Sequence, residues 1–100
     1  MTLVISGEIR IDPADFDRAM ELVGPFVATT RAEEGCVTYG FWVDPTERGR
    51  IRLFEEWTSA ETNAAHAASQ HLADFYAAMA ALRVTSVELI RYEVSARVPL

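Results

Sequence analysis

Phe54-Glu55-Glu56-Trp57-Thr58-Ser59-Ala60-Glu61, followed by Ala65-His66, Ser69-Gln70-His71-Leu72 and Phe75, carries the chain out of a strand and into helix. Ile51, Leu53, Glu55 and Trp57 share one parity, the period-two mark of a strand running from Arg50 to Trp57. Thr58 with Glu61 three residues later matches a capping box, so a helical region is expected to start there. Ser69 is placed to cap a further helix, with Leu72, Phe75, Met79 and Leu82 as its apolar stripe. An indole and an imidazole on either side of a strand-to-helix turn can face one cleft between a sheet and the helix covering it.

The rest of the chain reads as scaffold for that cleft. Leu3, Ile5, Ile9 and Ile11 alternate with Val4, Ser6, Glu8 and Arg10, giving a first strand. Asp12-Pro13 stops it and opens a helix whose stripe is Phe16, Met20, Val23 and Val27. Gly24-Pro25 predicts a kink in that helix, and Gly35 its C-terminal cap. Cys36 to Val43 is apolar on both parities, a strand covered on both faces. Asp44 to Gly49 has the composition of a loop, and a last strand spans about Ser86 to Val98.

Strand, helix, strand, strand, helix, strand is the order of a ferredoxin-like α+β domain, an antiparallel sheet with its helices on one face. Two helices cover one face only. The other is expected to carry Tyr39, Phe41, Phe54, Ile90 and Tyr92, and an apolar face of that kind marks an interface. A homodimer packed sheet against sheet is therefore expected, the last strand reaching toward the partner. The alternative is a monomer whose outer face is softened by Ser6, Glu8, Arg10, Arg52 and Glu56.

One hundred residues, half of them hydrophobic, make one globular domain over residues 1–100. Fifteen acidic against nine basic residues give a net charge of -6, and no basic cluster is present, so nucleic acid is not an expected partner. Cys36 is the single cysteine, which excludes an intrachain disulfide and fits a reducing cytoplasm. Met1 to Glu8 lacks the basic n-region of a signal peptide, and no apolar run reaches bilayer-spanning length, so no membrane partner is expected.

Several side chains carry chemistry. His66 suits a base working near neutral pH, or a half-buried helix residue with one satisfied nitrogen. Trp57 reads as core filler or as a ring that stacks on an aromatic ligand. His71, five positions after His66, falls on another face of a straight helix and reads as structural or capping, although Ser69 is placed to break that helix. Two histidines without a convergent third ligand make no metal site, so none is expected. Arg91, with Arg52 behind it, is the arginine to stabilise an anion or to form a surface ion pair. Glu55 can orient a ring or act as an acid, while Tyr39 and Tyr76 offer hydroxyls or core packing. Cys36 has no base beside it and is not expected to be a nucleophile. No phosphate loop, dinucleotide motif or Ser/His/Asp arrangement is present, so no cofactor is indicated.

Glu33-Glu34-Gly35-Cys36-Val37-Thr38-Tyr39, Glu55 with Trp57, and Ala65-His66 with Ser69, His71 and Phe75 resemble the antibiotic biosynthesis monooxygenase family in order and spacing. The resemblance implies a dimeric α+β barrel of ferredoxin-like units, each with a pocket between sheet and helices. It also implies cofactor-independent oxidation of quinols or phenols, haem degradation, or isomerisation of small carbonyl compounds. Haem-degrading members pair a first-strand Asn with the Trp and His; that position falls on Gly7 here, which counts against haem chemistry. The leading expectation is a cofactor-independent monooxygenase acting on a small aromatic, with His66, Trp57 and Arg91 catalytic and Tyr39, Glu55, Tyr76 and His71 around the substrate. A small-carbonyl isomerase and a non-catalytic ligand-binding dimer are the alternatives.

Overall fold

Four strands in the order β2-β3-β1-β4, every pair antiparallel, form the sheet of this computed structural model, which describes residues 1–100. In chain order the elements are β1 (Thr2–Ile11), α1 (Phe16–Arg31), β2 (Cys36–Asp44), β3 (Glu47–Trp57), α2 (Ala60–Ala67), α3 (Gln70–Met79) and β4 (Val84–Val94). This is the ferredoxin-like α+β fold the element order predicts.

Local chemistry accounts for most boundaries. Asp12 accepts from the Ala14 amide and caps a short 3-10 turn, Pro13–Asp15, so α1 proper begins at Phe16. The helix continues across Pro25, which is exposed, so the bond lost there is left to water. The expected loop from Asp44 to Gly49 shrinks to a turn at Pro45-Thr46, because Asp44 accepts from the Thr46 amide and returns the chain at once into β3. Ser59, not Thr58, caps α2, taking the Thr62 amide at 3.1 Å. Ser69 caps α3 as expected, accepting from Leu72. The last strand starts two residues earlier than its apolar run suggests and ends at Val94.

Register decides which residues meet the helices. Ile5 opposes Glu55, Gly7 opposes Leu53 and Leu3 opposes Trp57, so these side chains share the covered face. Tyr39 opposes Glu55 and Phe41 opposes Leu53, which places both rings on that face as well. This corrects their expected outward position: β2 is apolar on both parities, so pattern alone could not orient it, and pairing with β3 did. The outer face instead carries Trp42, Phe54, Ile90 and Tyr92, interrupted by Glu8, Arg10, Arg50 and Arg52. The core on the helix side is Phe26, Val27, Tyr39, Leu53, Trp57 and Leu72, with Ile11, Ala19 and Ile51 packed as a second group.

Candidate functional site

Between the sheet and the helices lies a cavity of about 540 Å³, with 20 of its 23 lining residues hydrophobic. Such a lining favours a small apolar or aromatic ligand. Its polar groups come from Glu55 on β3, Asn63 and His66 on α2, and the hydroxyls of Tyr39 and Tyr76. Tyr76 stands at the mouth, mostly exposed, whereas Tyr39 is buried.

The centre of the site is His66, 4% exposed. Its Nδ1 lies 2.6 Å from Glu33 Oε2. A carboxylate there accepts a proton held on Nδ1 and so fixes the neutral ring's tautomer, leaving Nε2 as the basic nitrogen. Nε2 has no protein partner, yet no buried side-chain nitrogen or oxygen lacks one, so Nε2 is not sealed off; the ring lines the cavity. Glu33 reaches His66 because the turn after α1 ends in Gly35 at φ 79, a left-handed conformation natural to glycine. A Cβ on Gly35 would sit 2.5 Å from the Thr62 side chain, and its carbonyl accepts the Thr58 amide at 2.9 Å. Gly35 therefore locks the turn against α2 and does not act as the C-cap expected of it; Ala32 holds that place.

Trp57 is fully buried and does not line the cavity. It lies against the His66 ring at 4.9 Å between centroids, tilted by 30°, and donates its indole N–H to Glu55 Oε1 at 2.8 Å. The expected stacking of Trp57 on a ligand is thus corrected: it positions His66 and Glu55 from behind. Burial pushes the Glu55 carboxyl above its ordinary range, against the pull of the Trp57 N–H. Burial, reinforced by the Glu55 charge, likewise raises the Tyr39 phenol well above its usual value and keeps it protonated. The Cys36 thiol is also raised, by burial and then by Glu33.

His71 departs from expectation. The chain breaks between α2 and α3, and the new axis brings His71 Nε2 to 3.3 Å from the same Glu33 Oε2 and 3.3 Å from Thr30 Oγ1. The two imidazole centroids are 5.9 Å apart. A third ligand-type group, Glu33, thus converges on the two histidines, which sequence spacing had not suggested. Arg91 shares the covered face but lies beyond the cavity, half-exposed, with Glu93 3.9 Å away. Arg52 is on the outer face near Ser6. Neither lines the cavity, whereas Asn63 does. Gly7 admits no side chain without backbone movement, since a Cβ would approach Glu88 O to 1.9 Å.

A profile of the antibiotic biosynthesis monooxygenases matches residues 2–78, the segment holding all of these groups except those on β4. The chain belongs to the antibiotic biosynthesis monooxygenase family. An uncharacterised protein of Synechocystis sp. is 33% identical over 55 residues; the match covers 55% of this chain and 37% of that relative's length. Among solved structures, a provisional antibiotic biosynthesis monooxygenase of Deinococcus radiodurans has a TM-score of 0.89 at 20% identity, covering 98% of this chain and 97% of that one. Rv0793 of Mycobacterium tuberculosis gives 0.86 at 20% identity, covering 99% and 100%. At these identities the two structures speak for the shared ferredoxin-like fold. No helix is long and apolar enough to cross a membrane.

Glu33 and Asn63 are the polar site residues that sequence reasoning did not pick out. The one signal for Glu33 was its place before the glycine of a family motif; nothing in the chain spacing pairs it with His66.

Proposed function

We propose that the protein is a cofactor-independent monooxygenase of a small quinol or phenol. The observation that carries this is an imidazole whose Nδ1 is tied to Glu33 and whose unpartnered Nε2 belongs to a ring lining an apolar cavity. His66 Nε2 takes the phenolic proton, and the resulting imidazolium is stabilised by Glu33. The phenolate then faces His66 and the Asn63 amide, both lining the cavity, in place of the arginine expected from sequence. An ionised quinol reduces O₂ directly. One oxygen atom ends on a ring carbon as a carbonyl; the other leaves as water with two substrate hydrogens, so the substrate supplies all four electrons. Glu55, whose protonated form burial favours, is a proton source for the departing oxygen. The apolar walls, with Phe41, Phe75 and Tyr39, hold the ring and keep water from the intermediate.

A second copy of this chain is proposed to cover the outer face of the sheet, where Trp42, Ile90 and Tyr92 are each about half-exposed.

The test is O₂ uptake by chelator-treated protein offered a panel of quinols and polyphenols. Enzyme-dependent uptake that falls about 10²- to 10⁴-fold in His66→Ala is expected for loss of a general base. Uptake unchanged by that substitution would overturn the assignment. Substrate conversion with no O₂ consumed would give the same base to an isomerase.

A further inference from the structure

Glu33 Oε2, His66 Nδ1 and His71 Nε2 lie within 4.8 Å of one another, drawn from three separate elements of the fold. We propose that these three groups bind a divalent transition-metal ion, and that the ion, once bound, converts His66 from a base into a hydrogen-bond donor toward the cavity. The second half rests on the assignment of His66 as the base; the first does not.

Two of the three edges of the cluster are 2.6 and 3.3 Å. Metal–ligand bonds of about 2.0–2.1 Å set tetrahedral ligand atoms roughly 3.3 Å apart, so the Glu33–His66 edge opens by about 0.7 Å, the Glu33–His71 edge already fits, and the edge between the two histidines, within 4.8 Å, closes toward the same value. Side-chain rotation supplies a change of that size. Two imidazoles and one carboxylate suit Zn²⁺, Co²⁺, Fe²⁺ or Ni²⁺ and not Mg²⁺ or Ca²⁺, which prefer all-oxygen shells. Three protein ligands leave at least one position open. Thr30, fully buried with its hydroxyl turned to His71, offers a partner for a water there.

The approach is from outside the apolar cavity. Glu33 also lines a surface depression with Glu34, Glu61, Thr62 and Ala65, so three carboxylates face an incoming cation and its destination is the one beside the histidines. His66 itself lines the apolar cavity and not this depression.

The consequence follows from imidazole chemistry. In the metal-free protein a neutral His66 keeps its proton on Nδ1, against Glu33, and its lone pair on Nε2. A metal takes the Nδ1 lone pair, so the ring's proton must sit on Nε2. The tautomer inverts with no net gain or loss of protons, and the nitrogen toward the ligand can donate but no longer accept.

The test titrates chelator-treated protein with Co²⁺ and with Zn²⁺, following heat and, for Co²⁺, the visible ligand-field bands. One ion per chain, with the intense bands of four- or five-coordinate cobalt, is expected. Glu33→Gln and His71→Gln should each weaken binding at least tenfold, with unchanged far-UV circular dichroism to show that they fold. No saturable binding by the parent protein, or binding unaltered by both substitutions, would overturn the site. Where quinol-dependent O₂ uptake is present, one equivalent of Zn²⁺ should suppress it in the parent protein. Full turnover by zinc-loaded protein would overturn the tautomer switch and leave the site standing. An absence of all O₂ uptake would count against the base assignment, and so against the switch that rests on it, while the binding measurements still decide the site.

Discussion

The two faces of one sheet are built from alternate residues of the same strands, and on β1 and β3 they differ sharply. Edge strand β4 is open on both, with Val87 and Leu89 on the helix side exposed as well. Toward the helices, Leu3, Leu53, Glu55 and Trp57 are at most 5% exposed, and Trp57 lies against the His66 ring. Toward the outside, Ile90 and Tyr92 stand about half-exposed on β4, and Glu8 is shared between Arg10 and Arg50 in surface ion pairs. Surface pairs of this kind contribute little to stability, because water screens them. The covered face therefore holds the fold together and builds the site, while the outer face is free to serve association. Four experiments probe that division.

Trp57→Ala should be the most damaging. It empties the centre of the core and removes the wall behind His66, at a cost of about 3–5 kcal/mol in denaturant unfolding. Trp57→Phe should recover most of the packing but not the bond to Glu55. A cost below about 1 kcal/mol for the alanine variant would show that the covered face is less decisive than its burial suggests.

Gly35→Ala comes next, at roughly 2–3 kcal/mol, because it forces a non-glycine residue to positive φ and against Thr62. Since the same turn delivers Glu33, any catalysed turnover should fall by more than the loss of folded protein explains. Wild-type turnover per folded molecule would show that Glu33 does not need that turn.

On the outer face, Ile90→Ser with Tyr92→Ser should leave the circular dichroism and the cavity intact. It should weaken self-association about tenfold or more, near 1.4 kcal/mol, in sedimentation equilibrium. A monomeric parent protein would refute the proposed use of this face.

The smallest effect is a pH dependence. Burial raises the Glu55 carboxyl above its ordinary 4.5, so the folded protein holds that proton more tightly than the unfolded chain does. Its stabilising contribution is complete below the unfolded value and is lost as pH rises through the folded one. Glu55→Gln keeps an acceptor for the Trp57 N–H and escapes that loss. Variant minus parent stability should thus rise steadily as pH climbs from about 4 to about 8, the window in which a carboxyl raised above its ordinary range loses its proton. A flat or falling difference would contradict the raised carboxyl.

Much of this was legible in the residues. The Asp12-Pro13 start, the Ser69 cap and the alternation of β1 and β3 gave the element order, and with it the ferredoxin-like fold. The motif around Trp57 and His66 drew attention to the right strand-to-helix turn. What misled was local ambiguity. Thr58 and Ser59 are adjacent capping residues, and β2 is apolar on both parities, so its rings could be read onto either face.

The site itself was a matter of long-range placement. Sequence spacing set His66 and His71 on different faces of one helix, and only the break at Ser69 brought both to Glu33. The same holds for Arg91, whose parity is right but whose position along β4 lies past the cavity. Periodicity and capping are local properties, fixed by backbone geometry within a few residues, so the sequence alone determined the elements and their order. Which side chains converge depends on strand register and helix axes, set by packing among residues far apart in the chain. That part the tertiary structure decided.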